Sequence, residues 1–274
     1  MITPSPKASG PKILTIPAIA WIMVMVYAWL AAYGAGEISH HLSFLIGESG
    51  GPDYFREPIN LGLALLALWL WRGLSGDGAP LAPTLGSPTW GLGGGWIVGC
   101  VLPGLALVLM AALGAGIFSP TRVQLLALIL PIPFILIHAL AEEVIIRGIA
   151  QRSAQRLYGP MAGIGLAALT FCILQATQGY ASVWHIVNSA LFGAVLGFLA
   201  LGRGGIWAAA AGHAGWTWLE TSWIGDGVTF TKMPGFWAGF GPDSYGAPTF
   251  TVVLMFTLGL IGAGRALQAR KDRQ

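Results

Sequence analysis

Long apolar runs separated by short polar segments dominate this chain. Eight runs approach the roughly 20 apolar residues that a membrane-spanning helix needs, at 13–36, 57–72, 90–118, 123–142, 161–178, 186–202, 204–222 and 247–264. The run at 57–72 is the weakest, because its uncharged centre from Pro58 to Trp71 is short for a bilayer. The pattern predicts an all-α fold, a polytopic membrane helix bundle with about eight transmembrane helices.

The polar segments between these runs indicate the organisation of the chain. Residues 13–264 are predicted to form a single membrane domain. Residues 1–12, rich in Pro, Ser and Gly, are expected to be a disordered cytoplasmic tail, and residues 265–274 a solvated basic cytoplasmic tail. Residues 73–89, with their Gly, Pro, Ser and Asp, are expected to form a cytoplasmic linker.

Glycine and proline favour a closely packed bundle. The chain contains 40 Gly, and small residues let helix backbones approach one another in lipid. Pro103, Pro131 and Pro133 fall within predicted spans. We expect them to kink their helices, which neighbouring helices in a bundle can tolerate.

The composition indicates an integral membrane protein. Apolar residues make up 55% of the chain and charged residues 9%, against about 25% charged in soluble proteins. The mean hydropathy of +0.71 agrees. We therefore expect membrane lipid as a partner and no nucleic acid, because the net charge of +3 is explained by topology.

Cys100 and Cys172 lie within predicted spans, which favours packing over a disulfide or a thiolate metal site.

The basic residues predict an orientation in the membrane. With the N-terminus in the cytoplasm, most of the 14 Lys and Arg residues lie on that side, namely Lys7, Lys12, Arg72, Arg147, Arg152, Arg156, Arg203, Arg265, Arg270, Lys271 and Arg273, while Arg56, Arg122 and Lys232 lie outside. This bias places both termini in the cytoplasm and the long loops 37–56 and 224–246 on the far side. The alternative, a cleaved signal peptide within 1–36, is disfavoured because the apolar run is too long.

Two carboxylates and a guanidinium stand at the end of one apolar run. Residues 123–140 carry no charge, and Glu142, Glu143 and Arg147 follow. Ionised groups inside a membrane are costly unless paired, so these three are a candidate functional site. Glu143 and Arg147 share a helical face, whereas Glu142 is rotated by about 100°. We expect Glu143 to pair with Arg147 and Glu142 to face the bundle interior. A salt-bridge cluster at a helix end is the alternative.

Two histidines lie on apolar helices that could approach Glu142. His138 stands four residues before Glu142 and shares its face. His213 is surrounded by small residues and is followed one turn later by Thr217. An ordinary hydrogen-bonded core histidine is the alternative for His213. A Glu–His pair could activate a water or bind a metal, with Glu142, His138 and His213 as candidate ligands.

Three motifs in this order resemble the CPBP family of intramembrane proteases, which comprises the CAAX prenyl proteases and their bacterial relatives, including bacteriocin-processing and immunity proteins. Residues 142–148 (Glu-Glu-Val-Ile-Ile-Arg-Gly) match the first motif, Glu-Glu-x-x-x-Arg. Residues 171–175 (Phe-Cys-Ile-Leu-Gln) match the second, Phe-x-x-x-His, except at Gln175. Residues 213–217 (His-Ala-Gly-Trp-Thr) match the third, His-x-x-x-Asn, except at Thr217.

Two flanking segments add to the resemblance, which covers about residues 120–260. Residues 188–197 resemble the glycine-bearing helix between the second and third motifs. Residues 239–243 (Gly-Phe-Gly-Pro-Asp) resemble a loop found after the third motif in many bacterial members. The resemblance therefore implies a protein of a bacterial inner membrane.

The resemblance implies an intramembrane endopeptidase of the metalloprotease type, acting on a peptide or membrane-protein substrate, with a divalent metal such as zinc as a candidate cofactor. In the family the first glutamate is the general base for a water, which here is Glu142. The third-motif pair, here His213 and Thr217, stabilises the oxyanion. Glu143 and Arg147 would support the base.

Gln175 is the main departure from the family pattern. An amide can orient a water, but it neither titrates near neutral pH nor binds a metal well. His138 and His185 are the two histidines that could compensate. An impaired endopeptidase and a non-catalytic member that binds a peptide or lipidated partner in the same cavity are therefore both open. A small transporter that uses Glu142 as a proton-linked group is a third possibility, which the weak internal symmetry disfavours.

Overall fold

The computed structural model describes residues 17–35, 39, 55–75, 85–177, 182–239 and 246–271. Most of them form helices, which confirms the predicted all-α membrane bundle. The helices are α1 (Pro17–Trp29), α2 (Arg56–Ser75), α3 (Pro88–Ala112), α4 (Leu125–Ile129), α5 (Ile132–Ile145), α6 (Arg152–Tyr158), α7 (Pro160–Thr177), α8 (Val183–Ala200), α9 (Gly205–Trp218) and α10 (Pro248–Lys271). π-Helical turns continue three of them, at Leu30–Ala35, Ile146–Gln151 and Leu219–Gly227.

Each predicted apolar run is mostly helical where the structure describes it, although residues 116–118 form a strand. Five helical stretches within the described residues are long and apolar enough to cross a membrane: Arg56–Ser75, Pro88–Ala112, Leu125–Tyr158, Val183–Ala200 and Pro248–Gln268. Two shorter apolar helices, Ala18–Ala28 and Pro160–Ala176, accompany them. The run at 57–72, which was the weakest by sequence, therefore forms one of the long helices.

Several predicted polar segments fall largely outside the described residues. They are the tail at 1–12, most of the loop 37–56 and most of the linker 73–89. At the other end, α10 continues through Arg270 and Lys271, so the described part of the basic segment 265–274 is helical.

The helix that carries the two glutamates differs from its predicted bounds of 123–142. It begins with the short α4, turns at Leu130 and Pro131, and then continues through α5, a π-helical turn and α6 to Tyr158. Pro131 and Pro133 stand at the start of α5. In a helix interior the missing proline N–H would break a helical hydrogen bond, but the first turn has no such bond to lose. The helical stretch is interrupted beside these prolines, where a kink was predicted, whereas the predicted end at 142 is wrong.

A short antiparallel sheet of two strands that are distant in sequence was not predicted. Strand β1 (Gly116–Pro120) pairs with β2 (Val228–Lys232), with Phe118 opposite Phe230 and their ring centroids 4.8 Å apart. β1 lies in the predicted span 90–118, whose last residues are as apolar as the helix before them. β2 lies within the predicted loop 224–246.

Glycines of α3 bring its backbone directly against α9. A Cβ at Gly95 would lie 2.2 Å from the carbonyl oxygen of Ala208, and one at Gly99 would lie 2.0 Å from that of Gly212. No side chain fits at these distances, so the predicted role of glycine in close packing is confirmed here. Because Gly212 precedes His213, this contact fixes the depth of His213 in the bundle.

Candidate active site

The two glutamates lie in the middle of a continuous helical stretch and deep in the bundle. Glu143 has no exposed surface, and Arg147 is 2% exposed. The Glu142 side chain keeps 13% of its surface exposed. The helix continues past all three residues to Tyr158, so the alternative of a salt-bridge cluster at a helix end is wrong. Arg147 lies inside this buried stretch. It is therefore not a loop residue and does not count among the basic residues that predict the orientation.

Glu143 and Arg147 form the predicted ion pair. Arg147 donates from Nε to Oε2 of Glu143 at 2.5 Å, and from Nη1 to Oε1 of Gln151 at 3.4 Å. Gln151 in turn donates from Nε2 to the carbonyl oxygen of Gly197 on α8 at 3.1 Å. A buried charge is tolerated when it is paired and hydrogen-bonded, and this chain of contacts supplies both. The sequence analysis missed Gln151, although a polar residue at every fourth position, 143, 147 and 151, is a signal for it.

His213 joins the first motif to the third. It lies on α9 with 6% of its surface exposed, and its Nδ1 lies 3.3 Å from Oε1 of Glu143 and 4.0 Å from Oε2 of Glu142. Phe171 and Phe192 pack edgewise against the imidazole, at centroid distances of 5.2 Å and 6.4 Å. His213 therefore lies beside both glutamates, but its shorter contact is to Glu143 and not to the predicted partner Glu142.

Three polar atoms converge at this point without a hydrogen bond to the described residues. They are Oε2 of Glu142, Oε1 of Glu143 and Nδ1 of His213. Buried polar atoms in native proteins usually have a partner, which can be a water or a ligand. The three atoms therefore offer hydrogen-bonding capacity to a small polar group.

A second carboxylate–histidine contact adjoins the first. His138 lies on the same face as Glu142, as predicted, with its Nε2 3.5 Å from Oε1 of Glu142. Its Nδ1 lies 2.8 Å from Oε2 of Glu57 on α2, and the same oxygen accepts a hydrogen bond from Nδ2 of Asn60 at 3.3 Å. Sequence reasoning missed Glu57, because it stood at the edge of the weakest apolar run, beside Arg56.

Gln175 and Thr217 flank this cluster without joining it. Gln175 is half-buried on α7, one helical turn after Phe171, and Thr217 is half-buried on α9, one turn after His213. The hydrogen bonds and ion pairs between described residues link the other four predicted site residues, Glu142, Glu143, Arg147 and His213. They do not include the side chains of Gln175 and Thr217.

The structure also locates the other predicted features. His185 is buried near the start of α8, where its backbone N–H donates to Oγ of Ser182. The glycine-bearing segment 188–197 forms most of α8, and a Cβ at Gly193 would lie 3.0 Å from Cβ of Phe171. The loop at 239–243 lies outside the described residues from position 240 onward.

The described side chains do not fit a metal ion. Among them, no group of three or more His, Cys, Asp or Glu is arranged to hold one. Both nitrogens of His138 face carboxylates, and the guanidinium of Arg147 already compensates Glu143. A zinc requirement therefore stays a prediction from the resemblance.

The fold and the site together define a polytopic helical membrane protein with a buried carboxylate–histidine cluster. Residues 123–219 match the family described as type II CAAX prenyl endopeptidase Rce1-like. The match spans α4 to α9 and contains all three motifs. It supports membership of the CPBP family of intramembrane proteases. No curated protein matches the chain.

Proposed function

We propose that this protein is an intramembrane endopeptidase in which Glu142 activates a water that attacks a peptide bond. The convergence of Oε2 of Glu142 with Nδ1 of His213, 4.0 Å apart at a partly exposed carboxylate, carries the proposal. A water at about 2.8 Å from each atom fits between two atoms at this separation. A general base must lie within hydrogen-bonding reach of the proton that it removes, and Glu142 would meet this condition.

Hydrolysis at this site needs one proton to be taken up and then returned. The Glu142 carboxylate removes a proton from the water while the water oxygen bonds to the carbonyl carbon, and the carbonyl π electrons move to the oxygen. As the tetrahedral intermediate collapses, the C–N bond breaks and Glu142 gives its proton to the leaving nitrogen. The products are a carboxylic acid and an amine, and Glu142 returns to its carboxylate form.

His213 would stabilise the charge that develops on the carbonyl oxygen. Its Nδ1 faces the position between the two glutamates, so an N–H there can donate to an oxyanion formed beside the water. Thr217, one turn along the same helix, would supply a hydroxyl in place of the family's amide. Glu143 and Arg147 hold the imidazole and the helix in position, and neither needs to contact the substrate.

The substrate would be a peptide or a membrane protein that enters from the lipid. The exposed part of Glu142 and the 38% exposed side chain of His138 support entry on the α2 side of the cluster. The positive-inside pattern supports an orientation with both termini in the cytoplasm. The resemblance of residues 239–243 to a loop of many bacterial family members supports an inner-membrane location.

A second function, binding without catalysis, is favoured by one observation. Gln175 stands where the family has a histidine, and an amide cannot take up or release a proton as an imidazole does. In this alternative the same cavity would hold a peptide or lipidated partner.

A cleavage assay in liposomes separates the two functions. The purified protein is incubated with a farnesylated peptide ending in a CAAX sequence, with the same peptide unmodified, and with a pool of single-span membrane peptides. Products are identified by mass spectrometry, for the wild type, Glu142→Gln and Gln175→His. Cleavage that requires Glu142 supports the endopeptidase. If neither the wild type nor Gln175→His cleaves any substrate, while peptides still bind to the liposomes in a Glu142-dependent manner, the binding function is the better account.

A further inference from the structure

One imidazole in this bundle lies between two carboxylates from different helices. Nδ1 of His138 lies 2.8 Å from Glu57, and Nε2 lies 3.5 Å from Glu142. The two contacts engage opposite nitrogens of the ring, so the ring orientation is set from both sides. His138 is therefore placed by a residue on α2 and directed at the proposed general base on α5.

Glu57 is itself held in position. Its Oε2 accepts a hydrogen bond from Asn60 one turn later, and the carbonyl oxygen of Asn60 accepts one from the Tyr27 hydroxyl of α1 at 3.2 Å. Asn60 and Tyr27 are both buried. Contacts from two helices, α1 and α2, thus fix the carboxylate that orients His138.

The two histidines approach Glu142 from different sides. The His138 and His213 rings are 6.4 Å apart and nearly perpendicular. His138 lies beside Oε1 of Glu142, whereas His213 lies beside Oε2. His213 already has the place of the third-motif histidine, so His138 is the second imidazole at the carboxylate.

We infer that Glu57 and His138 together replace the histidine that the second motif lacks at Gln175. Glu57 is the positioning residue: it fixes the ring so that Nε2 faces the Glu142 carboxylate, beside which the water would be bound. His138 then hydrogen-bonds that water as it loses its proton, which is the assistance that Gln175 cannot give by titration. This inference rests on the proposed endopeptidase. It adds α2, which lies outside the matched residues 123–219, to the active site.

Kinetics in the liposome assay test the inference by substitution and rescue. Single-turnover rates and apparent KM are measured on a cleaved peptide for the wild type, His138→Ala, Glu57→Gln and Glu57→Asp. We expect His138→Ala to lower kcat by about 100-fold and Glu57→Gln to lower it with little change in KM. Glu57→Asp keeps the carboxylate and should retain more activity. Gln175→His should restore kcat in the His138→Ala background.

Glu220→Gln is the matched control, since it removes a carboxylate outside the cluster and should leave kcat unchanged. Unchanged kcat in both His138→Ala and Glu57→Gln, while Glu142→Gln is inactive, overturns the inference and leaves the endopeptidase standing. The inference is also overturned, and the endopeptidase also stands, if the wild type is inactive and the Gln175→His variant is active. If no variant cleaves any peptide, the proposed function fails and the inference fails with it.

A spectroscopic measurement tests the bridge without any substrate. In ¹⁵N spectra of histidine-labelled protein in detergent, the His138 signals are assigned by their loss in His138→Ala. Because each ring nitrogen faces one carboxylate, the signals should shift in Glu57→Gln and in Glu142→Gln but not in Glu220→Gln. His138 signals that do not respond to Glu57→Gln contradict the positioning role, even if the folded protein is unaffected.

Discussion

The Nδ1 atom of His213 lies 3.3 Å from Oε1 of Glu143, a carboxylate with no exposed surface. The same carboxylate is paired with Arg147 through its other oxygen. Glu143 therefore connects a cation on its own helix to the imidazole of α9. Glu142, one residue earlier, is left with an oxygen that has no hydrogen bond to a described residue. Because Glu142 also keeps 13% of its side chain exposed, this arrangement supports the proposed roles of Glu142 as general base and Glu143 as a supporting residue.

Removing Arg147 should strongly destabilise the bundle. Arg147→Ala leaves Glu143 as a buried carboxylate without its cation, and breaking such a pair costs about 3–5 kcal/mol. We expect a clear loss of folded yield and a lower Tm in detergent. Arg270→Ala is the control, because Arg270 is exposed near the end of α10, and it should change stability by less than about 0.5 kcal/mol.

The double variant Glu143→Gln with Arg147→Met separates the lost charge balance from lost packing. Removing both charges avoids the unpaired carboxylate, so the double variant should be more stable than Arg147→Ala. Arg147→Ala with the Tm of the wild type would mean that the pair is solvated.

The contact between α3 and α9 should not tolerate a methyl group. Gly99→Ala places a Cβ against the backbone of Gly212, so α9 must shift, and we expect a loss of about 1–3 kcal/mol. Gly94→Ala is the matched control on the same helix, since a Cβ at Gly94 meets nothing within 4 Å. Helix propensity predicts that it is neutral or stabilising by up to about 1 kcal/mol. Thermal unfolding in one detergent compares the two, and equal Tm values would contradict the close packing.

The orientation of the protein is tested by labelling. Cysteine substitutions at Ser49 and Ser244, which lie outside the described residues, should react with a membrane-impermeant maleimide from the outside of intact cells, because the positive-inside pattern places both loops there. Cysteines added after residue 270 should react only when the membrane is opened. Labelling of position 49 or 244 from the cytoplasm alone would reverse the orientation.

The helical bundle and the core of the site follow from local sequence patterns. The spacing of Glu143 and Arg147 predicted their pairing, and the spacing of His138 and Glu142 predicted a shared face, because both depend only on the geometry of one helix. The sequence suggested only as a hypothesis that His213 lies near these carboxylates. The packing of α9 against α5 places its imidazole beside both of them.

Contacts between distant segments could not be predicted in this way. Glu57 reaches the site from α2, and Gln151 is anchored to Gly197 on α8. No local period shows which helices become neighbours. The β1–β2 pairing could not be predicted for the same reason, because the two strands are distant in sequence. In addition, β1 has the apolar composition of the end of a predicted span. The predicted end of the helix at 142 was wrong, because buried pairing lets charged residues continue a helix in the bundle interior.

The role of Glu142 as general base is the central claim, and the single-turnover cleavage rate of Glu142→Gln tests it most directly. The substitution keeps the size of the side chain and removes its ability to accept a proton from water. With a peptide that the wild type cleaves in liposomes, and with an unchanged Tm as proof of folding, we predict a rate at least about 100-fold lower. A Glu142→Gln protein that cleaves the same peptide at the wild-type rate would contradict the assigned site.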